Sequence, residues 1–349
     1  DQGGIQAVRI IIDAMGGDNA PEEIVKGAVR AKRELGVDIT LVGIEQRVRE
    51  CLAAEGCDDI DVVNASEIVP MEDDPSTAVR RKKDSSMAVA LNLLRDGAGD
   101  AVVSAGSTGA LLTGATLTVK RIRGIRRAAL APVLPAGEHG VMLIDCGANV
   151  ECTAEYLLQF AFMGSFYARR LMRCEAPRVG LLNVGTEDTK GGALQHQAFA
   201  LLKKAGDEGR INFIGNVEGT DVFAGRAEVV VTDGFTGNVL LKTTEGVIKF
   251  MMGALKGVFY KNTVNKLAAA ILKGDLKEMK KSMDVNEVGG TALIGISKPV
   301  VKAHGSSNAA CIFAAVRQAI AFAESGLIAD INANIEYMKI KGEEENGQA

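Results

Sequence analysis

The sequence of 349 residues contains no tryptophan, few aromatic residues and none of the commonest nucleotide-binding or hydrolase patterns. Because no Gly-Lys dipeptide occurs, the loop G-x-x-x-x-G-K-[ST] of P-loop nucleotidases is excluded. The patterns H-E-x-x-H and G-x-S-x-G are also missing, which removes the usual zinc proteases and α/β-hydrolases. The absence of G-x-G-x-x-G after a strand weakens a nicotinamide-dependent dehydrogenase without excluding it, because divergent dinucleotide loops exist.

An excess of positive charge is absent as well. The chain has 40 Lys and Arg against 44 Asp and Glu, a formal net charge of -4, so we expect no nucleic-acid partner. The six cysteines form no C-x-x-C pair and no Cys/His cluster at zinc spacing, which predicts reduced thiols and no metal site. The first residues, DQGGIQ, lack the basic and apolar regions of a signal peptide, which predicts a cytoplasmic location.

Glycine, in contrast, is abundant, with 40 residues, and it follows apolar runs in a regular order. A run of β-branched residues, a glycine-containing polar loop and a helical pattern recur along the chain. The predicted strands lie at 7–13, 39–43, 101–104, 141–145, 178–184 and 228–232. Strands that are apolar at successive positions are buried on both faces, so we predict an α/β fold with a doubly wound, mainly parallel sheet in an α/β/α sandwich.

No composition break divides the chain, which predicts a single α/β domain over residues 8–332, with room for two lobes around a cleft. Residues 246–283 differ from the rest of the chain in composition. Their pattern predicts helix throughout, and they carry eight Lys against one Asp and one Glu. We expect this basic amphipathic segment to protrude from the sheet and to bind either an anionic membrane or a partner subunit. Residues 341–349 read as a disordered tail.

Six loops at equivalent strand ends carry small residues and hydroxyl or amide donors. They are DAMGGDNAP (13–21), SAGSTGA (104–110), DCGANVE (145–151), NVGTEDTKGG (183–192), TDGFTGN (232–238) and HGSSN (304–308). A tight turn with a capping residue explains any one of them. Six together predict an anion site, because glycine loops before helices expose backbone N–H groups at the carboxyl edge of a parallel sheet.

Three ionisable side chains in these loops are candidates for a cap or for chemistry. Lys190 is either a solvated surface lysine or a point charge that holds phosphate or a developing oxyanion. His304 is either a capping histidine or a general acid or base. Asp233 ends its strand, where a carboxylate caps a helix or orients a ligand hydroxyl.

These loops, together with SSMAVALNLLRDG (85–97) and GNVEGTDVF (215–223), occur in the order typical of one family. From about Val8 to Leu327 the chain resembles the phosphate acyltransferase (PlsX) family of bacterial phospholipid synthesis. The resemblance implies a Rossmann-like fold similar to phosphate acetyltransferase and isopropylmalate dehydrogenase. It also implies transfer of a fatty acyl group from acyl carrier protein to inorganic phosphate, giving acyl phosphate. A homodimer and a cytoplasmic, peripherally membrane-associated enzyme are expected with it.

The resemblance suggests direct attack of phosphate on the thioester carbonyl, which needs neither metal nor cofactor. Lys190, His304 and Asn238 are the catalytic candidates. The candidate substrate-binding residues are Gly16, Gly17, Ser107, Thr108, Asn149, Gly185, Thr186, Gly191, Gly192, Asp233, Gly237 and Ser306. An acyl-cysteine intermediate on Cys146 is the rival mechanism.

Three other functions remain open at the level of the sequence. A related short-chain phosphate acyltransferase would use coenzyme A as the acyl carrier. A dehydrogenase would bind a nicotinamide nucleotide on the same kind of sheet. A non-catalytic protein would bind acyl carrier protein or lipid without turnover.

Overall fold

The computed structural model describes residues 8–283 and 289–339 of the chain. The predictions for the first residues and for the tail 341–349 lie outside this part. The strands are β1 (Arg9–Asp13), β2 (Asp38–Gly43), β3 (Asp61–Asn64), β4 (Ala101–Ser104), β5 (Ala129–Ala131), β6 (Val133–Leu134), β7 (Val141–Ile144), β8 (Arg178–Leu182), β9 (Asn212–Val217), β10 (Val229–Val231), β11 (Thr291–Ile294) and β12 (Val300–Lys302).

Helices alternate with most of these strands. They are α1 (Glu22–Leu35), α2 (Glu45–Ala54), α3 (Ala78–Arg81), α4 (Ser86–Arg95), α5 (Thr108–Gly114), α6 (Ala154–Arg170), α7 (Ala193–Asp207), α8 (Gly219–Phe223), α9 (Gly234–Phe259), α10 (Thr263–Ile271), α11 (Lys273–Met283), α12 (Ala309–Glu324) and α13 (Leu327–Ala333). A π-helical turn, Ala115–Val119, follows α5, and a 3-10 turn, Glu336–Met338, follows α13.

The strands form two sheets, and both are mainly parallel. The first sheet has seven strands in the order β3-β2-β1-β4-β12-β11-β5, of which β11 runs antiparallel to both neighbours. The second sheet has five strands in the order β6-β7-β10-β8-β9, of which β6 runs antiparallel to β7. The predicted fold class, a mainly parallel α/β fold, is therefore confirmed, and the sheet is divided in two.

The core explains why the central strands read as unbroken apolar runs. Ile10, Ile11 and Ile12 of β1 are at most 1% exposed, because helices cover both faces of the first sheet. The helix α6 packs Phe160 and Phe162 into the largest hydrophobic cluster. Buried apolar area of this extent is the main stabilising contribution to such a fold.

The segment 246–283 is helical, as expected, but it is divided among the end of α9, α10 and α11. Its packing against the rest of the chain is sparse, because the buried residues of α9 are confined to Gly234, Gly237 and Leu241, and α10 has none. The prediction of a protruding helical segment agrees with this burial pattern.

No single helix in residues 8–283 and 289–339 is long and apolar enough to cross a bilayer. The bent pair α12 and α13 has the length and composition when taken together, but α12 packs in the core with Ile312 and Val316 fully buried.

Candidate active site

A cavity of about 230 Å³ lies where the strand-end loops of the two sheets meet. Both sheets and α9 contribute to its wall. The lining residues are Thr108, Leu130, Pro132, Val133, Cys146, Gly147, Asn238, Leu241, Lys242, Glu245, Gly289, Gly290, Thr291, Lys302 and His304. This position at the carboxyl ends of parallel strands is where α/β sheets bind ligands.

Loops of the first sheet are joined to one another beside this cavity. The N–H of Asp18 donates to the carbonyl of Gly305 at 2.8 Å, and the side-chain amide of Asn19 donates to the carbonyl of Ser306 at 3.3 Å. Gly16 and Gly17 make this approach possible. A Cβ on Gly16 would lie 2.6 Å from the nitrogen of Gly106, and Gly17 has a φ of +101°. The two predicted glycines therefore shape the loop pair.

Asn238 reaches the cavity because of how α9 starts. Asp233 caps this helix by accepting the N–H of Thr236 at 2.9 Å, so its carboxylate has a structural role. Gly237 fits only as glycine, because a Cβ there would lie 1.9 Å from the carbonyl oxygen of Asp145. Asn238, Leu241, Lys242 and Glu245 then follow at helical spacing on one face of α9.

Asn149 and Ser107 are held by internal hydrogen bonds. The amide nitrogen of Asn149 donates to the carbonyl of Ala128 at 2.8 Å and to the carboxylate of Asp145 at 2.9 Å. Ser107 is the N-cap of α5. Neither residue lines the cavity, whereas Thr108, next to Ser107, does. Asn149 instead supports the loop from which Gly147 reaches the wall.

His304 lines the cavity and is positioned by Ser306. Its Nδ1 accepts the backbone N–H of Ser306 at 3.2 Å and lies 2.9 Å from the hydroxyl oxygen. This assigns the proton of the neutral ring to Nε2. Burial, followed by the charge of Lys242, lowers the pKa of His304, so the imidazole is neutral at pH 7. A neutral ring with Nε2–H is a hydrogen-bond donor rather than a strong acid.

Cys146 also lines the cavity, but its thiol is poorly suited to attack. Burial, strengthened by the negative charge of Asp145, raises the pKa of Cys146 well above its usual value. The thiolate is the nucleophilic form, so a thiol that stays protonated is inert at pH 7. This environment favours the direct mechanism over an acyl-cysteine intermediate.

Lys190 lies on an exposed loop after β8. Its ammonium is 3.9 Å from the carboxylate of Glu187, and its backbone carbonyl accepts from the side-chain amide of Asn183 at 3.0 Å. Gly191 has a φ of +95°, and Gly192 is the N-cap of α7. The loop, which includes Gly185 and Thr186, is joined to β9, because the side-chain amide of Asn216 donates to the carbonyl of Glu187 at 2.9 Å. It does not line the cavity.

Lys302 and Lys242 are cavity residues that the sequence did not single out. Lys302 ends β12 and is 7% exposed, and Lys242 pairs with Glu245 at 2.8 Å. Lys302 follows the short apolar run of Val300 and Val301 and lies two residues before His304, which is the only local signal for it. For Lys242 the signal is its spacing of four residues from Asn238 on a predicted helix.

Metal binding has no support in residues 8–283 and 289–339, where no group of three or more His, Cys, Asp or Glu residues forms a candidate site. All six cysteines are free, and Cys57, Cys146 and Cys174 are buried.

The comparisons with known proteins agree on one family. The family model described as fatty acid synthesis protein matches residues 8–330. A phosphate acyltransferase of Thermoanaerobacter pseudethanolicus is 47% identical over 332 residues, which cover 95% of this chain and 98% of the relative. A phosphate acyltransferase of a Geobacillus species is 49% identical over 331 residues, which cover 94% of this chain and 99% of the relative.

Solved structures of low sequence identity share the fold. A phosphotransacetylase from Streptococcus pyogenes superposes with a TM-score of 0.61 at 19% identity, covering 93% of this chain and 94% of that one. A branched-chain phosphotransacylase from Enterococcus faecalis has a TM-score of 0.58 at 17% identity, covering 91% and 99%. These two support the fold alone, whereas the family model and the curated relatives establish membership. The chain therefore belongs to the phosphate acyltransferase family and is an acyltransferase whose acceptor is phosphate.

Proposed function

We propose that the chain transfers a fatty acyl group from the thioester of an acyl carrier protein to inorganic phosphate, and that the acyl phosphate enters phospholipid synthesis. The observation that carries this proposal is the cavity at the strand ends. It combines the cationic side chains Lys302 and Lys242 with the donors Thr108, Asn238 and His304. Such a wall suits an anionic acceptor and a carbonyl that becomes an oxyanion.

In the proposed reaction a phosphate oxygen attacks the thioester carbonyl carbon directly. A C–O bond forms, the tetrahedral oxyanion collapses, and the C–S bond breaks. The proton that hydrogen phosphate carries moves to the departing thiolate, so the products are acyl phosphate and the free carrier thiol. Because the thioester is already activated, the balance needs no nucleotide and no redox partner.

The chain's own residues take simple roles in this step. The Nε2–H of His304 orients phosphate, and Ser306 holds the ring in that tautomer. Asn238 donates to the carbonyl oxygen as it becomes negative. Lys190 and the backbone N–H of Gly191 approach phosphate from the loop after β8. The N–H of Gly192 donates to the side-chain oxygen of Gln195 at 3.1 Å, so Gly192 shapes the start of α7. The remaining predicted residues shape these loops, namely Gly16, Gly17, Ser107, Asn149, Gly185, Thr186, Asp233 and Gly237.

The exposed parts of α9 and α10 support two proposals, one about the oligomeric state of the enzyme and one about its binding to membranes. Large apolar side chains on it are exposed, among them Phe250 at 76%, Val264 at 73% and Ile271 at 83%. Lysines are interspersed with them, and the ammonium groups of Lys256 and Lys266 lie 5.8 and 6.0 Å from the ring centre of Tyr260. We propose a homodimer, located in the cytoplasm, whose paired segments bind peripherally to anionic membranes.

The deciding experiment compares acyl donors head to head. Purified enzyme is supplied with phosphate and either a long-chain acyl carrier protein thioester or the matching coenzyme A thioester, and acyl phosphate is trapped as the hydroxamate. We expect product with the carrier protein at much higher kcat/KM. Preference for short coenzyme A thioesters would replace the proposed donor. Absence of product with either donor, combined with binding of NADH in a titration, would support a dehydrogenase instead.

A further inference from the structure

Lys302 is a buried lysine whose charge has no direct counter-ion in the described part of the chain. Its ammonium donates to the carbonyl oxygens of Ala105, at 3.3 Å, and of Ala303. A lysine ammonium has three N–H donors, so one donor remains for a ligand. No carboxylate forms an ion pair with Lys302 within residues 8–283 and 289–339.

The nearest acidic group in the sheet is engaged elsewhere. Asp13, Ser104 and Lys302 are register partners on the neighbouring strands β1, β4 and β12. The hydroxyl of Ser104 donates to Asp13 at 2.7 Å, and Lys302 lies on the far side of Ser104. Asp13 thus lies two strands away from Lys302, and no hydrogen bond or ion pair of Lys302 reaches its carboxylate within the described residues. The negative charge of Asp13 still opposes the effect of burial on the pKa of Lys302.

Lys302 lines the cavity, so its remaining N–H donor is available to a ligand there. Lys242 and His304 line the same space, and Lys242 is already paired with Glu245. Burial lowers the pKa of Lys302 to about 8. The negative charges of Asp13 and Asp18 act to raise this pKa, and the positive charge of Lys242 lowers it further. A buried cation of this kind destabilises the protein unless something compensates it. An anion in the cavity would supply that compensation and raise the pKa again.

We propose that Lys302 is the principal phosphate-binding cation of this enzyme, and that its free N–H contacts a phosphate oxygen inside the cavity. The inference rests on the proposed function, because phosphate is there the acyl acceptor. Lys302 stays protonated through the reaction and forms no covalent bond. Lys190, on the exposed loop outside the cavity wall, remains the second cation proposed for this anion.

The matched control for Lys302 is Lys298, which precedes the same strand. Its ammonium also donates to two backbone carbonyls, Leu94 at 2.7 Å and Arg95 at 3.3 Å, but it does not line the cavity. The test compares Lys302→Met, Lys302→Arg and Lys298→Met. Two quantities are measured: the KM for phosphate and for the acyl thioester, and the rise in Tm with phosphate at constant ionic strength without acyl donor.

We expect Lys302→Met to raise the KM for phosphate about tenfold or more and to abolish the phosphate-dependent rise in Tm. The KM for the thioester and the behaviour of Lys298→Met should stay as in the wild type. Methionine removes a buried charge, so the Tm of this variant without phosphate should equal or exceed that of the wild type. An unchanged KM and an unchanged phosphate response in folded Lys302→Met would overturn the proposal. If Lys302→Met does not fold, normal phosphate binding by folded Lys302→Glu overturns it.

A pH series adds a readout that a packing role would not move. Phosphate affinity of the wild type should fall as pH rises through about 8, because the ammonium loses its proton. Lys302→Arg should keep its affinity over that range, since guanidinium remains charged. The other groups facing this region are His304, already neutral there, and Cys146, whose pKa burial raises well above its usual value. The charged groups are Lys242, Glu245, Asp13 and Asp18. An equal decline in both proteins would assign it to one of these groups and overturn the role of Lys302.

Failure of the proposed function would look different. A wild type that binds phosphate through Lys302 but makes no acyl phosphate from carrier thioesters would contradict the donor and leave the anion site standing. A wild type that turns over normally with an unaffected Lys302→Met would contradict only the anion site.

Discussion

Lys190 and Lys302 carry the same charge in opposite surroundings. The side chain of Lys190 is 47% exposed and is paired at 3.9 Å with a carboxylate that is itself exposed. Exposed pairs of this kind contribute little free energy, so Lys190 can leave Glu187 for a phosphate oxygen at small cost. Lys302, in contrast, is held by two carbonyls in the interior. Lys190 is therefore an exposed cation that can exchange its partner, whereas Lys302 is a buried cation with fixed partners.

Replacement of Lys190 tests the outer contact. Lys190→Ala should lower kcat/KM by about a hundredfold or more, because one preorganised donor to developing charge contributes on that scale. The fold should be unaffected, since the side chain is exposed. Lys203→Ala is the matched control, because Lys203 forms a similar exposed pair with Asp207 at 3.8 Å. Wild-type kcat and phosphate KM in Lys190→Ala would remove Lys190 from the site.

Cys146 is expected to be dispensable for chemistry. Burial keeps its thiol protonated, so Cys146→Ser and Cys146→Ala should retain turnover once their stability is matched to the wild type by lowering the temperature. The reaction is also quenched during turnover and the protein is analysed by mass spectrometry for an attached acyl group. Loss of activity in both variants, together with acyl label on the wild type, would establish the covalent route instead.

At the scale of elements, the first turn of α9 depends on close packing against the loop after β7. Gly237→Ala should lower the free energy of unfolding by about 1–3 kcal/mol and reduce turnover, because the added methyl meets the carbonyl of Asp145 and displaces Asn238. Gly246→Ala, on the same helix with no atom within 4 Å of an added Cβ, should stabilise by about 0.5–1 kcal/mol. Urea unfolding measures both. Equal effects at the two positions would contradict the packing argument.

The exposed part of α9 and α10 predicts salt-sensitive binding to anionic vesicles. The double variant Lys256→Glu and Lys261→Glu should weaken flotation with such vesicles, because each lysine near an anionic surface contributes about 1 kcal/mol. Lys83→Glu with Lys203→Glu changes the net charge equally elsewhere and serves as the control. Equal flotation with neutral and anionic vesicles, or an unchanged double variant, would leave these helices with a purely structural role.

At the scale of the whole molecule, the poor burial of α9 and α10 predicts a second copy. A helix of 26 residues that buries three of them leaves apolar surface which a partner subunit can cover. We expect sedimentation velocity without lipid to give twice the chain mass of 36.7 kDa. A monomer at micromolar concentration would contradict the dimer and leave the membrane as the remaining cover for this surface.

Local patterns in the sequence determined the α/β class and the order of the strand-end loops. This was possible because buried parallel strands read as apolar runs that end in glycine loops. The family resemblance depended on the same loops, and the comparisons confirmed it. That residues 8–332 act as one domain stays a prediction.

Only the tertiary structure decided which loops meet. Thr108, Asn238 and His304 are far apart in the chain and come together because β4, β10 and β12 end at facing edges of two sheets. Asn149 has the residue type expected of a ligand contact, yet its amide is used by Ala128 and Asp145. Lys302 resembles any lysine at the end of an apolar run. Its burial beside the cavity results from the packing of β1, β4, β12 and α9. No local pattern in the sequence encodes that arrangement.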